Sequence, residues 1–179
     1  MTKWNLLHRM GHETPIEVQF EALALAYLDS AQRLCKILVR SSRKATFERG
    51  AVVLYLTFHS IELFLKGGIV RKRPHEHFGH DVNKLVKRYA KLYPAHKFAF
   101  DIPFGLARNA SGQQTVTSSE ELSGPLHQRM RYPVNHKGML WQGAEGFEPN
   151  SFLEDLSSLE SVFRRNITLY SSGPNQSEH

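Results

Sequence analysis

The chain has 179 residues, 41% of them hydrophobic and 22% charged, which is enough to bury one core and is ordinary for a soluble globular domain. Lysine and arginine outnumber aspartate and glutamate by 23 to 17, so the net charge of +6 favours polyanionic partners such as nucleic acid without specifying one. A single cysteine, Cys35, excludes an intramolecular disulfide, and the first residues lack the charged, apolar and small-residue order of a signal peptide, so a cytoplasmic location is expected.

The first predicted helix extends from about residue 15 to 41. Thr14, Pro15 and Glu17 have the order of a capping box with proline at the first helical position. Apolar residues then recur at steps of three and four, namely Ile16, Phe20, Leu23, Tyr27, Ala31, Leu34 and Leu38. The connection that follows is short, so we expect this helix to lie antiparallel to the next one.

The second predicted helix, from about 46 to 71, is apolar on nearly every side, which is typical of a helix in the middle of a bundle. Its apolar residues are Val52, Val53, Leu54, Leu56, Phe58, Ile61, Leu63, Phe64 and Leu65. The charge-free run between Arg49 and Glu62 is shorter than the roughly 18 residues that a membrane span needs, so no membrane contact is expected.

One polar line follows this helix. Tyr55, His59, Glu62 and Lys66 are spaced at i, i+4, i+7 and i+11, which places their side chains on one side. The line is a candidate functional surface. The alternative is an ordinary ion pair between Glu62 and Lys66 beside a core histidine.

A loop rich in histidine follows, from residue 75 to 81. Its three histidines and two acids invite a metal site, yet their spacing matches no strong metal-binding template. We favour a loop in which Gly79 permits a turn, Asp81 starts the next helix, and His80 has a capping or orienting role. No metal or other cofactor is expected.

The third predicted helix, from about 80 to 93, has two distinct faces. One face is apolar, with Val82, Leu85, Tyr89 and Leu92. The other carries Lys84, Lys87, Arg88 and Lys91, and is either simply solvated or in contact with phosphates. The candidate nucleic-acid-binding residues are these four cations together with Lys66, Arg71 and Arg73.

The remainder is predicted to be an irregular insertion at 94–149 followed by a last helix at about 150–171 and a flexible tail at 172–179. Within the insertion, the apolar stretch 97–104 predicts an extended segment or short strand on the bundle. Ser151 and Glu154 form a second capping box. The sequence therefore predicts one all-α domain, an up-and-down bundle of four main helices.

Two short motifs resemble the HEPN superfamily (higher eukaryote and prokaryote nucleotide-binding domain). The stretch 61–66, Ile-Glu-Leu-Phe-Leu-Lys, is similar to the family's E-L-x-L-K helix, and Gly79, His80 and Asp81 with Leu85 match its G-H-D-L-x-x-L pattern, except for a valine in place of the first leucine. The resemblance covers mainly residues 46–93. It implies a helical module that binds RNA or nucleotides and forms a homodimer, with an antitoxin or nucleotidyltransferase as partner protein.

Ribonucleases of this superfamily use an arginine followed four to six residues later by a histidine. Arg131 and His136 match that spacing, with histidine as general acid or base, arginine stabilising phosphate charge, and Glu62 orienting either one. Two features depart from the family's pattern, because Tyr132 stands where a small polar residue is usual and Pro133 interrupts any helix through the motif.

Three functions follow from the resemblance and the charge pattern. The preferred one is an RNA- or nucleotide-binding and dimerisation module without catalysis. The first alternative is a metal-independent endoribonuclease of the toxin or defence type, and the second is a purely structural interaction domain. Cys35 lies inside the apolar pattern of the first helix, so we expect it in the core rather than at an active site.

Overall fold

The computed structural model describes residues 13–102 and 148–172. Its helices are α1 (Ile16–Arg40), α2 (Phe47–Lys72), α3 (Val82–Leu92) and α4 (Pro149–Ser171), with 3-10 turns at Ser42–Lys44 and His96–Phe98. These two ranges contain no strand. The predicted all-α bundle is confirmed, and each helix begins and ends within two residues of its predicted bounds.

Helix α2 lies at the centre of the bundle, as its sequence predicted. Every residue from 60 to 70 is buried, because α1, α3 and α4 pack against α2 on different sides. Contrary to the expectation from its charge-free run, α2 is long and apolar enough to cross a membrane by length and composition. In the bundle, 72% of the 18-residue apolar stretch of α2 that could cross a membrane is buried. A buried helix at the centre of a bundle has the same length and apolar composition.

A pair of glycines in α2 lets its neighbours approach closely. A Cβ atom on Gly68 would lie 2.7 Å from Cε2 of Tyr89 in α3, which is closer than real Cβ contacts allow. A Cβ atom on Gly67 would lie 3.1 Å from Cβ of Phe20 in α1. Gly67 and Gly68 therefore provide the space in which α1 and α3 pack against α2.

An aromatic cluster joins α2 to α4. Phe64 is fully buried, and its ring stacks on that of Phe163 with 3.8 Å between centroids. Phe100 meets both rings edge-on, at 5.6 Å from Phe64 and 5.8 Å from Phe163. The stretch around Phe100 thus lies on the bundle, as predicted, with a 3-10 turn and extended residues in place of a strand.

Both predicted capping boxes are wrong. Helix α1 has Pro15 as its N-cap without a side-chain hydrogen bond, and Thr14 contributes only its carbonyl, which accepts from Nε2 of Gln19 at 2.8 Å. Helix α4 begins earlier than the box at Ser151, because Glu148 caps it by accepting from the backbone N–H of Asn150 and Ser151. Pro149 follows the cap at the first helical position, where its missing N–H costs nothing.

The predicted apolar face of α1 is also partly wrong. Ile16 is exposed, whereas the buried residues include Glu21, Ala24, Leu28, Ala31, Gln32, Cys35 and Leu38. Helix α1 packs against both α2 and α4, so its buried surface is wider than one stripe and includes polar residues. Gln32 shows this, because its Nε2 donates to the carbonyl oxygen of Leu156 at 3.2 Å.

Candidate functional site

The polar line on α2 is organised around the buried carboxylate of Glu62. Oε1 of Glu62 accepts from Nζ of Lys66 at 2.6 Å, one helical turn further along. The same oxygen lies 2.8 Å from Nδ1 of His80, which comes from the loop before α3. On the other side, Nδ1 of His59 lies 3.6 Å from Oε2. One carboxylate therefore has three nitrogen neighbours, and we refer to these four residues as the Glu62 cluster.

Aromatic rings flank His59 in this cluster. The ring of Tyr27, from α1, meets His59 edge-on with 4.6 Å between centroids, and Tyr55 is parallel to it at 6.0 Å. The spacing predicted that Tyr55 and His59 share a side of α2, and their contact confirms it. Tyr27 joins them because α1 packs along α2, which the periodicity of α2 alone does not reveal.

Glu62 is charged in spite of its burial. Burial alone raises the pKa of this carboxyl group, but the neighbouring His59, Lys66 and His80 outweigh that effect and lower the pKa to about 2. Its side chain is only 5% exposed. An ionised carboxylate in this position is stable only while its partners stay in place.

The two acids of the loop that carries His80 both contact α3. The carboxylate of Asp81 accepts from the backbone N–H of Lys84 at 3.2 Å and so caps α3, which confirms the predicted helix start. Glu76 is paired with Arg88 at 2.8 Å. No group of three or more potential metal ligands occurs in 13–102 or 148–172.

The second feature is the α3 strip, which we define as Lys84, Lys87, Arg88 and Lys91. All four are exposed, whereas the apolar residues Val82, Leu85 and Tyr89 of the same helix are buried, as predicted. The strip lines a groove of about 490 Å³ together with Gly79, Asp81 and Leu85. In the described part of the chain, no carboxylate lies within 4.0 Å of Lys87 or Lys91.

The other predicted nucleic-acid-binding residues lie elsewhere. Lys66 is buried against Glu62, so its ammonium group is not on the surface. Arg71 donates to the buried carboxylate of Glu21 at 2.8 Å and lies over the ring of Tyr170 at 5.6 Å, which makes it an internal connection between α1, α2 and α4. Only Arg73, at the end of α2, is exposed like the α3 strip.

The predicted ribonuclease residues Arg131 and His136 lie outside the described residues, whereas their proposed orienting residue, Glu62, belongs to the cluster above. Cys35 is fully buried, and its Sγ lies 3.2 Å from the carbonyl oxygen of Pro149. Burial, aided by the charge of Glu148, raises the pKa of the Cys35 thiol to about 11, which disfavours the thiolate needed for nucleophilic chemistry.

Sequence reasoning missed a buried polar network near the end of α4. Asn166 is fully buried, and its Nδ2 donates to Oη of Tyr89 at 3.2 Å and to the carbonyl oxygen of Phe98 at 3.1 Å. Tyr93 adds a hydrogen bond to the carbonyl oxygen of Gly68. The available signal was that Asn166 falls three residues after Phe163 on the apolar stripe of α4, where a polar residue needs an internal partner.

Comparison with known proteins identifies no relative. No protein-family model, no curated protein and no solved structure matches this chain. The HEPN resemblance therefore stays a prediction that rests on residues 61–66 and 79–81.

Acidification is expected to remove the stability that Glu62 supplies. The pKa of Glu62 is lower in the folded chain than its ordinary value of 4.5, so this contribution is present above pH 4.5 and is lost as the pH falls toward about 2. A shift of this size corresponds to about 3 kcal/mol in the free energy of unfolding. Urea unfolding at about pH 7, 5 and 3 measures the loss. The variant Glu62→Gln should lose less stability over this range, and equal losses in both proteins would contradict the assignment.

Proposed function

We propose that the chain is a HEPN-like module that binds RNA by contacting phosphates with the α3 strip. The observation that carries the proposal is the position of four cations on one exposed face of a helix whose other face is buried in the core. Because the core fixes the orientation of α3, the cations are presented as an aligned row. An aligned row of lysine and arginine side chains attracts a phosphate backbone through charge, largely independently of base sequence.

The cations of the strip differ in how free they are to meet a phosphate. Arg88 is paired with Glu76, and Lys84 lies 3.6 Å from the carboxylate of Asp81. Lys87 and Lys91 have no carboxylate neighbour within the described ranges, so they are the first contacts that we assign to RNA. Exposed ion pairs such as that of Lys84 are weak and exchange readily for a phosphate partner.

The HEPN part of the proposal is supported by a contact between the two resembling motifs. Glu62 and Lys66 come from the first motif and His80 from the second, and the three side chains meet at one carboxylate oxygen. Residues that resemble the family's pattern thus form a single structural unit. The homodimer and the antitoxin- or nucleotidyltransferase-type partner implied by the resemblance belong to the same proposal.

Charge reversal tests the assigned surface. The double variant Lys87→Glu/Lys91→Glu should weaken binding of a single-stranded RNA oligomer about tenfold or more, and should lower the salt dependence of log K by about 0.7 per lost phosphate contact. Fluorescence anisotropy with labelled RNA measures both quantities. The matched control is Lys36→Glu/Arg40→Glu at the exposed end of α1, which changes the net charge equally. Equal weakening by the two variants would show that only net charge matters and would overturn the assignment to α3.

A further inference from the structure

The connection between α1 and α2 forms one end of the bundle. Arg71, near the end of α2, donates to Oε1 of Glu21, near the start of α1, at 2.8 Å, so the two helices are antiparallel. The last turns of α1 and the first turns of α2 therefore lie together at the opposite end. Hydrogen bonds order the connection, since the backbone N–H of Lys44 donates to the carbonyl oxygen of Ser41 at 2.9 Å. We refer to residues 36–52 as the hairpin end.

The hairpin end exposes large apolar side chains. Phe47, the first residue of α2, is 69% exposed, and Val52 and Ile37 are 44% and 43% exposed. They are three of the five large apolar residues that are exposed in the described part of the chain, and the other two, Ile16 and Val18, lie near the start of α1. Single exposed apolar residues are ordinary, whereas several at one place indicate a contact surface.

The same segment is strongly basic. Its cations, all exposed, are Lys36, Arg40, Arg43, Lys44 and Arg49. Five cations against one carboxylate, that of Glu48, give the segment a net charge of +4. Arg33, one turn earlier in α1, is paired with Asp29, but within the described ranges no carboxylate lies within 4.0 Å of any of these five cations. Helix α4 brings Glu148 near this end, beside Cys35, and the end stays basic.

The order of these residues indicates the kind of partner. Ile37 directly follows a lysine, and Phe47 stands between Lys44 and Arg49. A protein interface gathers its apolar residues in a core and leaves charges at the rim, so it does not match this mixture. A bilayer does, because its anionic headgroups lie directly over the acyl chains. Lysine and arginine reach the headgroups while their aliphatic stems and the apolar side chains enter the layer below.

Two other partners fit the surface less well. Ile37 and Val52 have no ring that stacks on a base, so RNA would leave them in water. A second copy of the chain would bring one positively charged end against another, which opposes association.

We propose that the hairpin end docks on an anionic phospholipid membrane, with Phe47 inserted below the headgroups and Arg43 and Lys44 in contact with lipid phosphates. The inference goes beyond RNA binding and does not depend on it. The expectation of no membrane contact concerned the length of a span, whereas this contact is interfacial and leaves α2 in the bundle.

The proposed membrane surface is separate from the α3 strip. Helix α3 packs on α2 at Gly68, which the helical rise places about 30 Å from Phe47 along α2. Each surface is therefore open to change without altering the other, and the chain has room to hold RNA and a membrane at the same time.

Co-sedimentation of the full chain with vesicles tests the charged part of the surface. Wild-type protein should bind vesicles of phosphatidylcholine with about one-third phosphatidylserine, and should not bind phosphatidylcholine alone. Arg43→Glu/Lys44→Glu should weaken binding about 25-fold or more, since each cation near an anionic surface strengthens binding about fivefold. The matched control is Lys87→Glu/Lys91→Glu, which changes the net charge equally and should lose no more than about twofold.

Phe47→Ala tests insertion. Because Phe47 is exposed, the variant keeps the fold, and it should weaken vesicle binding about fivefold or more through lost apolar contact with the acyl layer. Ile16→Ala, an exposed apolar residue at the other end of α1, is its control and should bind like wild type.

The outcomes separate this inference from RNA binding. Absence of wild-type protein from sedimented anionic vesicles, or equal weakening by the two double variants, would overturn the membrane surface and leave RNA binding by α3 untouched. Self-association that Phe47→Ala abolishes, without vesicle binding, would overturn it in favour of a second copy. RNA affinity that falls in Arg43→Glu/Lys44→Glu, again without vesicle binding, would assign the hairpin end to nucleic acid instead.

Discussion

Replacing Lys66 with methionine is expected to destabilise the fold by about 3 kcal/mol or more at neutral pH, which is among the largest effects that a single substitution in this chain should have. The variant removes the nearest partner of Glu62, at 2.6 Å, and leaves a buried negative charge with only histidine neighbours. Chemical denaturation, followed by circular dichroism, measures the change in the free energy of unfolding.

Two further variants isolate the cause. Arg33→Met removes an exposed ion pair with Asp29, at 2.7 Å, which has the same i,i+4 spacing. It should lower the free energy of unfolding by less than about 1 kcal/mol. The double variant Glu62→Gln/Lys66→Met removes both charges and should recover much of the loss, since a buried neutral pair needs no counter-charge. Equal effects of Lys66→Met and Arg33→Met would show that Glu62 is not the buried charge described above.

Phe64→Ala is expected to lower the free energy of unfolding by about 3 to 5 kcal/mol. The substitution removes a fully buried ring that stacks on Phe163 and meets Phe100 edge-on, so it leaves a cavity where α2, α4 and the segment around Phe100 join. The same denaturation measurement applies, together with Phe64→Leu, which fills much of the cavity and should lie between wild type and alanine.

Phe47→Ala is the matched control for this cavity. Phe47 lies in the same helix but is 69% exposed, so its removal should change the free energy of unfolding by no more than about 0.5 kcal/mol. If Phe64→Ala were as mild as Phe47→Ala, the central position of α2 would be wrong.

The fold was predictable because its elements are long and strongly periodic. Helix α2 is apolar on nearly every side, which predicts a central position, and α3 divides its faces so sharply that its buried and exposed residues follow from the sequence alone. The cap of α3 at Asp81 was predicted correctly, but the caps of α1 and α4 were not. The observed N-caps, Pro15 and Glu148, lie one and three residues from the predicted ones, Thr14 and Ser151. The local sequence is compatible with either position in each case.

The sequence predicted those contacts of the candidate site that join residues close together in the chain, but not those that join distant residues. The Glu62–Lys66 pair lies within one helical turn, so its spacing predicted the contact that the structure shows. The contact between Glu62 and His80 spans 18 positions and two elements, and it depends on how the loop before α3 returns to α2. Asn166 reaches Tyr89 across 77 positions for the same kind of reason. Contacts of this kind are set by tertiary packing, which periodicity does not encode.

The most direct test of the central claim is an RNA titration of the wild-type chain at about 50 and 200 mM salt. Our account predicts binding at the lower salt that weakens steeply at the higher salt, because the aligned cations of the α3 strip displace counterions from the phosphates. Absence of binding at the lower salt, or an affinity that does not change between the two conditions, would contradict it.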